Sequence, residues 1–256
     1  MSKINFKVKG DGHPLILIHG FCETSEIWDS FASKIADGIQ VISIDLPGFG
    51  KSELPPSPFT LDDIAVELNN WVLKHEFDNS VLLGHSLGGY VSLAMVARRP
   101  ELFKAFGLFH STARPDTEVK RLNRIKVIEF VRAHGIAPFA ESFIPGLYYQ
   151  KNHPSIGLAL KIALETPKST FMDYTIAMRD RPSRERVIAD SEIPVLIIAG
   201  QNDTVIEVKS LEEQATLNEK VSFHSLSNVG HMGMFEAENE TLSIVNDFIL
   251  KVKVGL

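Results

Sequence analysis

Three runs in this 256-residue chain are apolar at every position: Leu15–Ile18, Val81–Leu83 and Val195–Ala199. A strand with one face in water alternates apolar and polar side chains, so an unbroken apolar run needs cover on both faces. A parallel sheet flanked by helices supplies that cover. The runs lie within candidate strands Leu15–His19, Ser80–Leu83 and Val195–Ala199, joined by Ile4–Val8, Val41–Asp45, Ala105–Phe109 and Val221–Leu226. Helical periodicity falls between them, over Glu26–Ala36, Leu61–His75, Leu87–Arg99, Ser210–Leu217 and Glu238–Lys251. The alternation predicts an α/β fold with a mostly parallel, doubly wound sheet.

One interval breaks this rhythm. From Ser111 to Ile193 the patterns are helical, at Glu118–His134, Ser155–Glu165 and Ser169–Arg179. Pro138, Pro145, Pro154, Pro167 and Pro182 punctuate them and read as helix breakers. The first pattern carries Val119, Leu122, Ile125, Val127, Ile128 and Val131 at roughly helical spacing. The expected organisation is a core of residues 1–111 and 193–256 carrying an all-helical cap insertion at 112–192.

Several function classes are disfavoured by composition. A formal net charge of −6 argues against a nucleic-acid backbone or an anionic membrane as partner, because both demand a basic face. Cys22 is the only cysteine, which excludes an intrachain disulfide and a cysteine-based metal site. The start, "MSKINFKVKGDG", lacks the apolar stretch of a signal peptide, and the longest apolar runs are too short to span a bilayer. The expectation is a soluble cytoplasmic protein acting on a small molecule, with no cofactor and no metal.

The most informative local pattern is "GHSLGG" at Gly84–Gly89, lying between an apolar strand and an apolar helix. Gly-x-Ser-x-Gly in that context is a nucleophile elbow. A sharp strand-to-helix turn brings the flanking backbone together, which requires glycine at 84 and 88. Ser86 would then project its hydroxyl from the carboxyl edge of the sheet. The first N–H groups of the following helix, beginning with Leu87, would face the same point.

A serine hydroxyl needs a base, and the base needs an orienting acid. Nine histidines are available. His231, in "SNVGHMGMFE", sits in a glycine-flanked loop after the last strand, where open α/β sheets place their ligands. His19 reads as a loop-shaping residue, and His85 points away if Ser86 points out. His110 and His224 read as strand or strand-end residues, and His13, His75, His134 and His153 as surface or cap residues. The candidate acid is Asp203, in "GQNDTV" after the strand Val195–Ala199. Asp116, at the entrance to the helical insertion, is the weaker alternative, and Asp45 ends an earlier strand. The order Ser86, Asp203, His231 is the chain order of this elbow-bearing fold.

Two neighbouring stretches complete the reading. "GFGKS" at Gly48–Ser52 resembles the end of a phosphate-binding loop, but Asp45 stands where that pattern needs glycine. Pro55, Pro56 and Pro58 also occupy the place of the helix that would follow, so nucleotide binding is not expected. "HGF" at His19–Phe21 follows a strand and faces the elbow. It offers the backbone N–H of Phe21 as an oxyanion donor beside that of Leu87, with Cys22 as the rival donor.

These motifs together resemble the α/β-hydrolase superfamily. The matching residues are "HGF" at His19–Phe21, "DLPGFGKS" at Asp45–Ser52, "GHSLGG" at Gly84–Gly89, "GQND" at Gly200–Asp203 and "GHMGMFE" at Gly230–Glu236. The resemblance implies Ser86 as nucleophile, Asp203 as acid and His231 as base, and it makes Ile4–Val8 the family's second strand. Serine at 86 argues against the dehalogenase and epoxide hydrolase branches, which resemble this chain but use aspartate there. The expected activity is hydrolysis of a small or medium carboxylic ester, as in carboxylesterases. The alternative is a hydrolase-fold receptor or regulator of slow turnover, in which cap movement is the signal.

Overall fold

The computed structural model describes residues 2–254. In chain order the elements are β1 (Phe6–Lys9), β2 (His13–Ile18), α1 (Asp29–Ser33), β3 (Ile39–Ile44), α2 (Leu61–Lys74), β4 (Ser80–His85), α3 (Leu87–Arg98) and β5 (Phe103–Phe109). Five helices follow: α4 (Glu118–His134), α5 (Ala137–Gly146), α6 (Ile156–Leu164), α7 (Lys168–Arg179) and α8 (Glu185–Ala189). The chain closes with β6 (Val195–Gly200), α9 (Val208–Ala215), β7 (Val221–Leu226), α10 (Gly233–Glu236) and α11 (Glu238–Val254). Among the described residues, no helix is long and apolar enough to cross a membrane.

The seven strands form one sheet in the order β1-β3-β2-β4-β5-β6-β7. Only β1, at the edge, runs antiparallel. The unbroken apolar runs are explained by the two faces of this sheet. Ile16, Ile18, Leu82, Val195 and Ile197 pack on one side with α2 and α3 residues such as Leu68, Trp71 and Val91. Leu15, Leu17, Val81, Leu83, Leu196 and Ile198 pack on the other with Trp28, Phe31 and the α11 residues Val245 and Ile249. Full burial of one such side chain is worth about 1.5–3 kcal/mol. A polar residue in either register would forfeit that on its face.

The strands that sequence periodicity predicts are all present, with ends differing by at most two residues. The helices differ more: α5, α8 and α10 fall where the sequence predicts none, and one predicted helix is divided. Glu26–Ala36 is split into a 3-10 turn at Ser25–Trp28 and the single turn of α1. Helix α5, which contains Pro138 and Pro145, is hidden in the sequence by those prolines. Pro138 lies in its first turn, where a helix needs no N–H donor, and Pro145 lies in its last. In α4 the periodic apolar residues do not form one buried stripe. Ile128 and Val131 are buried, whereas Val119 is 70% exposed. Helix α2 starts after the Pro-rich stretch through a capping box, in which Thr60 accepts from Asp63 N–H and Asp63 from Thr60 N–H.

Candidate active site

The connection from β3 to β4 crosses over β2, so the strand order reverses between β2 and β4. Open α/β sheets bind ligands beyond the strand carboxyl ends at such a switch point. Here the loop after β2 is His19-Gly20-Phe21, and the turn after β4 holds Ser86. The order of the remaining strands brings His110 after β5, Asp203 after β6 and His231 after β7 to the same edge.

Ser86 has φ 50° and ψ −114°, a conformation that L residues rarely adopt. Its N–H donates to the Phe109 carbonyl at 3.0 Å, and its own carbonyl accepts from Ser111 Oγ at 2.6 Å. A Cβ on Gly84 would fall on the backbone of Gly88 and Gly89, and one on Gly88 on the carbonyl of Ile18. The turn therefore closes only with glycine at both positions, and the half-buried Ser86 stands at its tip. Helix α3 begins at Leu87, and the first N–H groups of a helix have no partner within it.

Asp203 and His231 meet at 2.7 Å between Oδ2 and Nδ1, with side chains 1% and 3% exposed. Asp203 Oδ1 accepts from the N–H groups of Val205 and Ile206, at 2.8 and 3.0 Å, which fixes the carboxylate plane. Burial by itself would raise the Asp203 carboxyl. The imidazole of His231, through its charge and its hydrogen bond, together with the nearby His110 ring, outweighs it and holds the group well below the usual carboxylate range. His231 N–H donates to the Leu147 carbonyl at 2.7 Å, so the end of α5 supports the loop after β7. The elbow reaches the same loop, because His85 Nε2 donates to the His231 carbonyl at 2.9 Å.

His110, which sequence reads as a strand-end residue, lies directly against this pair. It has φ 49°, is fully buried, and holds Nδ1 3.5 Å from Asp203 Oδ2. Burial pushes its imidazole down to about 4, so the ring is neutral near pH 7 even beside a carboxylate. His110, Asp203 and His231 each bring one potential metal-ligating atom within 4.8 Å of the others. The Asp203 oxygens of that cluster are already engaged by His231 and by two backbone donors.

The loop after β2 is held by side chains. His19 Nδ1–H donates to the Gly20 carbonyl at 2.7 Å, while Nε2 accepts from Leu46 N–H at 2.9 Å, which makes His19 a neutral strut between loops. Cys22, the rival oxyanion donor, has φ 59° and is buried, and burial pushes its thiol well up. Asp45 binds the Ser25 and Lys51 N–H groups at 2.8 and 3.0 Å. The "GFGKS" loop thus spends a donor on an internal carboxylate instead of presenting it to a phosphate. Aromatic rings run from Phe21 through Phe171 and Phe139 to Phe143, each step 4.9 Å between centroids. They make an apolar wall from the loop into α5 and α7. Tyr148 and Met178 are buried as well.

Asp116 stands apart from His231. Its carboxylate is paired with Arg124 and, at 2.7 Å, with Arg181, a side chain only 6% exposed. Arg181 in turn lies 4.0 Å over the Tyr90 ring and donates to the Arg114 carbonyl at 3.0 Å. The cluster ties the entry of the helical insertion to its exit. Removing one partner from a buried pair typically costs about 3–5 kcal/mol. Asp116→Ala is therefore expected to lower unfolding stability by that amount in a denaturant titration, with turnover of the folded protein kept within about tenfold. Loss of turnover without loss of stability would return Asp116 to candidacy as the acid.

With this geometry established, known proteins offer a comparison. A family model described as "alpha/beta hydrolase fold" matches residues 13–120. The AB hydrolase superfamily protein YisY of Bacillus subtilis is 23% identical over 259 residues, covering 93% of this chain and 92% of that protein. Lipase 3 of a Moraxella species is 26% identical over 254 residues, covering 93% of this chain and 76% of the lipase. Among solved structures, a thermophilic esterase from Thermogutta terrifontis superposes with a TM-score of 0.92 at 27% identity. The match covers 98% of this chain and 94% of the esterase.

Proposed function

We propose that this chain, an enzyme of the α/β-hydrolase superfamily, is a serine hydrolase that cleaves a small or medium carboxylic ester through an acyl-enzyme on Ser86. The observation that carries this reading is the buried Asp203–His231 pair at 2.7 Å, on a loop hydrogen-bonded to the residue before the strained Ser86. The esterase and lipase among the similar proteins support an ester as substrate.

In the proposed route His231 Nε2 takes the Ser86 proton as Oγ attacks the ester carbonyl. The N–H groups of Phe21 and Leu87 receive the developing oxyanion. The imidazolium then gives its proton to the departing alcohol, and the C–O bond of the ester breaks. Water, deprotonated by the same imidazole, attacks the acyl-enzyme and returns Ser86 and the free acid. Asp203 keeps the proton on Nδ1 throughout. Residues 112–192 act as a cap, and the aromatic wall from Phe21 to Phe143 favours an apolar acyl group over a charged one.

The test is a series of p-nitrophenyl esters of increasing acyl length, run beside labelling with a fluorophosphonate. Turnover on the order of 10 s⁻¹ for some chain length, with one label per chain located on Ser86 by mass spectrometry, is the expected result. No turnover at any length, together with no label on the folded protein, would overturn the reading.

A further inference from the structure

Besides His110, two further titratable side chains outside the three proposed for catalysis are buried beside them. Glu23, in the loop after β2, and His85, one residue before Ser86, meet at 2.9 Å between Oε2 and Nδ1. The same Glu23 oxygen accepts from Gly20 N–H at 2.6 Å, and His85 Nε2 points to the His231 carbonyl at 2.9 Å. One continuous chain of hydrogen bonds therefore runs from the Gly20-Phe21 segment, through the elbow, to the base loop. Gly20 is glycine for the same reason: a Cβ there would lie 2.7 Å from His85 Nδ1 and 2.8 Å from Glu23 Oε2.

The partners dictate the protonation of His85. A carboxylate and a backbone carbonyl only accept, so each ring nitrogen must carry a proton. His19 gives the contrast within the same loop, with one acceptor and one donor as partners and hence a neutral ring. Burial lowers the His85 imidazole, but the charge and hydrogen bond of Glu23 outweigh it and raise it above the ordinary histidine value. Burial likewise raises Glu23, yet His85 and the other donors bring it down. The rings of His231 and His110 face His85 at 5.0 and 6.3 Å, those of Trp28 and Phe109 at 6.4 and 6.2 Å, and His19 and Asp203 are the remaining titratable groups whose charge reaches it.

From this geometry we infer that Glu23 and His85 are positioning residues for the hydrolase: their buried ion pair pins the oxyanion loop, the elbow and the base loop in one register. The inference rests on the proposed function. Stability is a weak reason for such a pair, since buried ion pairs are often replaceable by apolar side chains without loss. Reaction geometry is a stronger one, because a misplacement of about 1 Å can cost about 10²-fold in rate. Glu23→Gln makes the argument concrete. With the carboxylate gone, His85 becomes neutral and has one N–H for two acceptors. If it keeps the His231 carbonyl, the Gln amide must turn its NH₂ to the bare Nδ1, and Gly20 N–H loses its acceptor. One of the three links breaks in any arrangement.

Glu23→Gln is expected to lower kcat on the best p-nitrophenyl ester by about 10²-fold with KM within twofold, and to slow fluorophosphonate labelling of Ser86 in parallel. The double variant Glu23→Gln/His85→Gln is expected to be no slower than the worse single one, since the pair acts as a unit. Imidazole ¹⁵N shifts of the unmutated protein supply a readout independent of any variant, with both His85 nitrogens protonated at pH 7. A neutral His85 ring in that spectrum overturns the inference, as does folded Glu23→Gln with unchanged kcat and labelling rate. An unmutated protein that neither turns over esters nor takes the label removes the hydrolase reading itself, and this inference with it.

Discussion

Ser86→Ala is expected to lower kcat on p-nitrophenyl esters by about 10⁶-fold and to abolish fluorophosphonate labelling, with the thermal midpoint essentially unchanged. The separation of activity from stability follows from the backbone. At φ 50° and ψ −114°, any side chain with a Cβ is strained by about 1–3 kcal/mol. Alanine keeps that Cβ and therefore that strain, and removes only Oγ. Ser86→Gly removes the Cβ as well, so it is expected to be equally inactive and yet more stable than Ser86→Ala, by about 1 kcal/mol. A denaturant titration of the two variants beside the unmutated chain reads the difference. The pattern distinguishes a strained turn maintained for its hydroxyl from a turn that merely tolerates serine. Retention of a tenth of the turnover in Ser86→Ala would mean that no acyl-enzyme forms on this residue.

How much of this was legible beforehand depends on the range over which each feature is encoded. The strands were legible because burial on both faces writes itself into consecutive residues, as in Val195–Ala199. The elbow was legible because its steric demand falls on Gly84 and Gly88, two positions either side of Ser86. That Asp203 and His231 meet was legible from their places after β6 and β7, since strand order brings those loops to one edge. Contacts between distant segments left no such trace. Glu23 and His85 are 62 positions apart, and nothing local marks Glu23 as the partner of a histidine beside the elbow. His110 was indistinguishable from an ordinary strand end until the fold set it against Asp203. Helix α5 was hidden for a different reason: Pro138 stands in the first turn, where no N–H donor is needed, and Pro145 stands next to the last residue, where it costs the helix one terminal hydrogen bond without interrupting it. The one available signal for the Glu23 pair was negative. His85 cannot point where Ser86 points, and a buried histidine with no role in the turn needs partners elsewhere.

Asp203→Asn tests the acid more sharply than deletion does, because the backbone dictates how the new amide must lie. Oδ1 of Asp203 accepts from two N–H groups, those of Val205 and Ile206. Asparagine can satisfy both only by leaving its carbonyl oxygen there, and this turns its NH₂ group toward His231 Nδ1. A donor at that position requires a lone pair on Nδ1, so the imidazole proton moves to Nε2, the nitrogen that must receive the Ser86 proton. His231 is then in the wrong tautomer to act as a base. His110 offers no remedy, because its ring is neutral near pH 7 and sits on the far side of the 3.5 Å gap to Oδ2. The expected loss in kcat is about 10⁴-fold, with KM little changed and the fold intact. Asp203→Ala imposes no tautomer but strands the buried Ile206 N–H, at about 1–3 kcal/mol, and leaves the half-buried Val205 N–H without its acceptor. It should therefore be the less stable variant and yet the faster of the two per folded molecule. If Asp203→Asn retains turnover within tenfold of the unmutated protein, the proton on His231 is being controlled by some other group, and the acid has been misassigned.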